Sequence, residues 1–149
     1  MTRVYRLSSR KYPANNGKGA AKYGGRWNPV GTEAIYAAAT VALATLEVLV
    51  QFAILPKDYV LTEIHIPDSL AIEVIPDDEL PANWDAMSSP SETQVWGGEW
   101  ARELRSPVLS VPSSIIPIER NFVINPIHPR FHRIRFLPSK PFRFDTRLR

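Results

Sequence analysis

Fourteen prolines are spread along 149 residues, and they limit what this chain can build. Inside a helix, proline removes a hydrogen bond and clashes with the turn before it; in a central strand it breaks the ladder. The chain is therefore cut into short pieces. One long apolar stretch survives, AIYAAATVALATLEVLVQFAIL at residues 34–55. It contains Glu47 and Gln51, is rich in alanine and threonine, and divides into a strand-like start and a helical remainder. A buried strand–helix pair explains it better than a membrane span.

The other pieces read as short elements. Residues 3–7 and 33–38 suit strands, with a Gly/Asn/Lys loop at 10–25 between them. Thr40 is an N-cap for a helix to about Phe52. Residues 59–66 alternate, with Val60, Thr62, Ile64 and Ile66 on one face. Residues 71–75, 108–116 and 120–126 are strand-like, 96–106 suggests a short helix, and the acidic stretch 76–93 reads as irregular surface. Strands and few helices mix without regular βαβ alternation. The expectation is one compact α+β domain over residues 1–149.

Composition and charge narrow the setting. There is no cysteine, which removes disulfides and thiolate metal sites and fits a reducing cytosol. The first residues carry charges but no apolar core, so no signal peptide is expected. The net charge of +3 says little, but its distribution says more. Residues 1–26 hold seven Lys/Arg and no acid, residues 63–103 hold ten Asp/Glu and one Arg, and residues 130–149 hold seven Lys/Arg and one Asp. Two basic ends flank an acidic middle. They either pair across the surface or build an electropositive site for an anion such as a phosphate.

At about 100° per residue, Thr40, Ala44, Glu47 and Gln51 share one narrow stripe of the predicted helix, and the rest of its surface is almost wholly apolar. Such a helix is expected to be mostly buried. Its one carboxylate faces either bulk water or a cleft, where it can stabilise a developing cation. Arg26 follows Gly24 and Gly25, in GGRWN. Its planar fork suits a phosphate or a carboxylate, and a salt bridge to the acidic middle is the competing reading. Trp27 either packs or walls a pocket. From residue type alone, Tyr36 reads as core and Ser113 as a turn residue. His65, His128 and His132 lack metal-ligand spacing, so no metal site is expected. No Walker loop, dinucleotide fingerprint, GxSxG or HExxH is present.

Several pieces, in order, resemble the RES domain: GxGAxxxGGRWNPxG, IYAA, ALATLE, VWGGEW, VPSSIIPxExNFVINPxHP and a closing FxFDTRL. The resemblance runs from about residue 5 to residue 148. RES domains are the toxins of RES–Xre toxin–antitoxin pairs and are named for an Arg, a Glu and a Ser. The resemblance implies a fold similar to the ADP-ribosyltransferase core, and an activity that destroys NAD by cleaving the nicotinamide–ribose bond. NAD is then the substrate, with no cofactor required, and inorganic phosphate is one candidate co-substrate. The named arginine falls on Arg26, the glutamate on Glu47 and the serine on Ser113, with Ser114 one position away. Tyr36 falls on a tyrosine lining the family's pocket, beside Trp27. Glu47 is then the group that stabilises the ribosyl cation or aims the nucleophile; Arg26 holds pyrophosphate, Tyr36 stacks, and Ser113 bonds ribose or carboxamide. Asn121, Asn125 and His128 read as a supporting shell. The implied partner is an Xre-type helix-turn-helix antitoxin that blocks the pocket, with DNA reached only through it, in the cytoplasm and away from membranes. Two rival functions stand beside this one: an ADP-ribosyltransferase acting on protein or nucleic acid, and a non-enzymatic nucleic-acid-binding module using the basic ends.

Overall fold

The computed structural model describes residues 1–88 and 91–149. Along the chain run β1 (Thr2–Ser9), α1 (Lys18–Tyr23), β2 (Ile35–Ala38), α2 (Val41–Leu49), β3 (Tyr59–Ile66), β4 (Ile72–Val74), α3 (Ser91–Arg102), β5 (Val108–Pro112), β6 (Arg120–Ile124), β7 (Arg135–Phe136) and β8 (Lys140–Phe142). The strands form one sheet in the order β4-β5-β6-β2-β1-β3-β7, with β8 also on the outer edge of β3. Every pairing is antiparallel except β4 with β5. The fold is α+β, as expected.

The alternation in YVLTEIHI does what it predicts. β3 buries Val60, Thr62, Ile64 and Ile66 and leaves the residues between them half-buried. It pairs with β1 from Thr2 opposite Ile66 to Ser9 opposite Tyr59. Val4, Ile35, Ile64 and Ile124 lead the core on one face of the sheet. The other face is covered by the helices. There Leu7 and Ala38 pack with Leu43, Ala44 and Leu49 of α2, and Leu109, Val111 and Val123 pack with Trp27, Trp100 and Ala101. Residues paired across neighbouring antiparallel strands share a face. Tyr36 pairs with Val123 and Ala38 with Asn121, so Tyr36 and Asn121 lie on the helix-covered face.

Four readings need correction. First, α1 lies inside the stretch read as a Gly/Asn/Lys loop. Tertiary hydrogen bonds, not propensity, support it: Ala20 O accepts from Gly24 N and from Asn28 Nδ2, and Ala21 O from Gly31 N. Second, α2 ends at Leu49, short of Phe52. Gln51 N and Phe52 N bond three residues back, to Val48 O and Leu49 O, which tightens the last turn. Third, α2 is not mostly buried. Only the face carrying Leu43, Ala44 and Leu49 meets the sheet, and Ala42, Leu46 and Val50 are exposed. Fourth, α3 begins at Ser91, earlier than expected, and so takes the end of the acidic stretch; Ser89 and Pro90 lie outside the described residues.

No helix among the described residues is long and apolar enough to cross a membrane.

Candidate active site

The loop between α1 and β2 is built around Asn28, which is almost fully buried. Its Nδ2 donates to Ala20 O at 2.9 Å and Thr32 O at 3.0 Å, and its Oδ1 accepts from the Tyr36 hydroxyl at 2.6 Å. The Trp27 N–H donates to that hydroxyl at 3.1 Å. Gly25 makes this closure possible. A Cβ there would lie 2.6 Å from Asn28 Oδ1 and 2.7 Å from the Tyr36 hydroxyl, closer than real Cβ contacts come. From the other side α3 presses on the same loop. Gln94 Nε2 donates to Gly25 O at 2.9 Å, and a Cβ on Gly97 would lie 1.7 Å from Trp27 O.

Arg26 projects from this loop, half-buried. Its Nη1 donates to Trp84 O and its Nη2 to Ala86 O, both at 2.7 Å. The salt-bridge reading is met only in its location. Arg26 does reach the acidic stretch, but it bonds main-chain carbonyls there. Burial lowers its pKa, while Glu47, Asp85 and the Tyr36 hydroxyl act in the opposite direction. Two of the five guanidinium donors are committed to the two carbonyls, and three remain. Burial raises the Tyr36 hydroxyl pKa, against opposing effects of the Trp27 N–H and Arg26. Beneath β2, Arg6 Nη1 donates to Tyr36 O at 3.0 Å. Burial brings the Arg6 pKa down to about 10, so it is still a cation at neutral pH.

Glu47 comes from α2, whose start is fixed by Thr40: its side chain accepts from Leu43 N at 3.1 Å. The carboxylate is half-buried. Its Oε2 accepts from Ser113 Oγ at 2.9 Å and from Asn121 Nδ2. Ser113 has no exposed surface. Its Oγ accepts from Ile115 N and Ile116 N, both at 3.1 Å, so its one donor and two acceptor positions are filled. Ser113, not Ser114, is the serine that meets Glu47, and it holds the carboxylate while closing a turn.

Arg26, Tyr36, Glu47 and Ser113 thus converge on one face of the sheet. Trp27 does not join them, because its indole is 4% exposed and packs with Trp100 and Val111. A hollow of about 230 Å³ lies beside Trp27, Ile75, Leu80 and Trp96, and none of the four convergent residues lines it. Asn28 and Asn121 are the site residues whose partners sequence reasoning missed. A polar side chain at a strand position facing a helix was the available signal for Asn121. Among the described residues, no group of three or more His, Asp or Glu is placed to hold a metal ion. The donors around Glu47 are neutral, and Glu47 and Arg26 interact electrostatically. Such a site can stabilise a cation at one end and an anion at the other.

The sequence profile of the RES domain matches residues 3–145. The chain belongs to the RES domain family. This RES domain is 40% identical to "Toxin Res" of Photorhabdus laumondii over 150 residues, covering 97% of this chain and 96% of that protein. It is 37% identical to "Prs ADP-ribosylating toxin" of a Sphingobium species, covering 99% and 96%. It is 39% identical to "Toxin Res" of Yersinia enterocolitica, covering 98% and 99%. Among solved structures, the RES domain is similar to a chain of the M. tuberculosis MbcT–MbcA toxin–antitoxin complex. The TM-score is 0.72 at 22% identity, over 95% of this chain and 84% of that one.

Proposed function

We propose that this RES domain is the toxin of a toxin–antitoxin pair, and that it depletes NAD by cleaving the nicotinamide–ribose bond. The observation that carries the reading is the Glu47 carboxylate, held by Ser113 just past β5 and by Asn121 on β6 and electrostatically coupled to Arg26. As the C1′–N bond breaks, its electron pair leaves with nicotinamide and positive charge grows on the ribose. A fixed carboxylate stabilises that charge without reorganising. Arg26 supplies the cation for the pyrophosphate, and Tyr36 a wall. The attacking oxygen, from water or inorganic phosphate, bonds to C1′ and gives up its proton. The relatives named as toxins support the biological role.

The relative named as an ADP-ribosylating toxin favours a second reading. ADP-ribose transfer breaks the same bond of NAD and passes the sugar to a macromolecule. One experiment separates the two. Purified protein is incubated with NAD, with and without phosphate, and the small products are resolved by chromatography. In parallel, macromolecules from expressing cells are examined by mass spectrometry for added ADP-ribose. Free ADP-ribose or its phosphorylated form supports the first reading, and a modified macromolecule supports the second. Intact NAD in both arms overturns both. The proposed setting is the cytoplasm, where NAD is available. The proposed inhibitor is an Xre-type antitoxin seated over Arg26 and Glu47.

A further inference from the structure

Asn121 carries a cost that the fold alone does not explain. It is on β6, opposite Ala38 of β2 and Val111 of β5, with its side chain toward α2. Its Oδ1 is buried and has no hydrogen-bond partner among the described residues. A buried acceptor without a partner destabilises a protein, and a leucine, branched at the same carbon, would carry no such acceptor. What the carboxamide provides is Nδ2, which donates to Glu47 Oε2. The reverse orientation would set Oδ1 against a carboxylate, so the amide has one acceptable direction. Ser113 Oγ donates to the same oxygen from the end of β5. One donor on β6 and one just past the end of β5 meet at Oε2.

We propose that Asn121 is a positioning residue that acts through Glu47: with Ser113 it clamps Oε2, so that Oε1 alone is presented to the ribose. This rests on the proposed cleavage of NAD. The test uses Asn121→Leu and Asn121→Asp in the full chain, with NAD consumption and thermal unfolding measured for each. In Asn121→Leu the unfolding midpoint stays close to the parent's, because the orphan acceptor is gone while Glu47 Oε2 loses one donor and keeps Ser113 Oγ. KM stays within about threefold while kcat falls about 10- to 100-fold, the scale of a misplaced reacting group. Asn121→Asp sets a second carboxylate against Glu47. The charged and titratable groups on the facing elements are Arg26 and Tyr36, and neither is altered. Two adjacent carboxylates resist ionising together, so the acid limb of the pH–rate profile moves to higher pH. A merely structural residue moves neither kcat alone nor that limb. Parent-level kcat in folded Asn121→Leu, or a loss that follows unfolding, overturns the proposal. A separate readout does not depend on turnover. In labelled protein, one Asn121 side-chain amide proton is shifted downfield by the carboxylate and moves upfield in Glu47→Ala. If that resonance does not move, the clamp is wrong whatever the activity. If it moves and the parent consumes no NAD, the proposed reaction fails, and with it a role in that reaction.

Discussion

Exchanging Glu47 for glutamine keeps the shape of the side chain and removes the charge. Ser113 Oγ and Asn121 Nδ2 still find an oxygen to donate to, so the fold is expected to survive. Loss of the carboxylate should lower NAD consumption about 100-fold or more, the scale of removing one preorganised electrostatic group. Turnover at the parent rate in folded Glu47→Gln would remove Glu47 from the chemistry. Arg26→Lys tests the other pole. Lysine keeps the charge but offers one nitrogen where Arg26 uses two on Trp84 O and Ala86 O. Affinity for an unreactive NAD analogue, measured by calorimetry, should fall about tenfold or more, nearly as far as in Arg26→Ala. Unchanged affinity in the lysine variant would make Arg26 an anchor for the acidic stretch and nothing else. Arg26, Glu47 and Ser113 were legible because their neighbours in sequence form motifs. Asn121 was read as part of a supporting shell, but its bond to Glu47 was not, because the partner is 74 residues away and no local pattern marks the pair. Trp27 was ambiguous for a related reason: an indole beside an arginine can point either way, and only α3 decides it.

The elements whose signals are local were the easiest to read. Thr40 caps α2 through its own side chain, and the period of two in β3 follows from which face meets the core. The elements that depend on tertiary contact were misjudged. α1 begins after Gly17 and contains Gly19, poor helix formers, and its carbonyls are held by Asn28 and Gly31. The start of α3 lies in an acidic, serine- and proline-rich stretch. Its glycines carry a prediction. Gly97→Ala puts a methyl group on Trp27 O, a backbone atom that no rotamer change can move. We expect a loss of about 3 kcal/mol, the upper end of overpacking, read as a lower denaturation midpoint. Because Trp27 is next to Arg26, turnover should fall in the folded fraction as well. Parent stability in Gly97→Ala would mean that α3 and the loop separate easily.

For the whole molecule, the two basic ends share Glu63, on which both Arg3 and Lys140 act, and otherwise make different contacts. At the N-terminal end, Arg6 and Arg26 lie near Tyr36. At the other end, Arg149 Nη2 donates to Leu49 O and Phe52 O at the close of α2, and Arg147 pairs with Asp145. The charge asymmetry was visible in the sequence, but its division was not, because it depends on which strands become neighbours. An inhibitor that uses Arg26 should compete with NAD. It should also bind more weakly as salt rises, since exposed charges are screened over about 8–10 Å at physiological ionic strength. Titrating NAD against the purified complex with the neighbouring gene product checks both. A partner that binds tightly and leaves NAD affinity unchanged sits elsewhere.

The contact between Arg26 and the acidic stretch has a consequence for how this chain can diverge. Trp84 and Ala86 are gripped by their carbonyl oxygens, which every amino acid carries. These two hydrogen bonds are blind to side chains. The fully exposed Met87 can be replaced without loosening them, whereas Asp85 adds an electrostatic attraction to Arg26. Here a lineage has room to rewrite a surface beside Arg26 while the attachment to that residue stays the same.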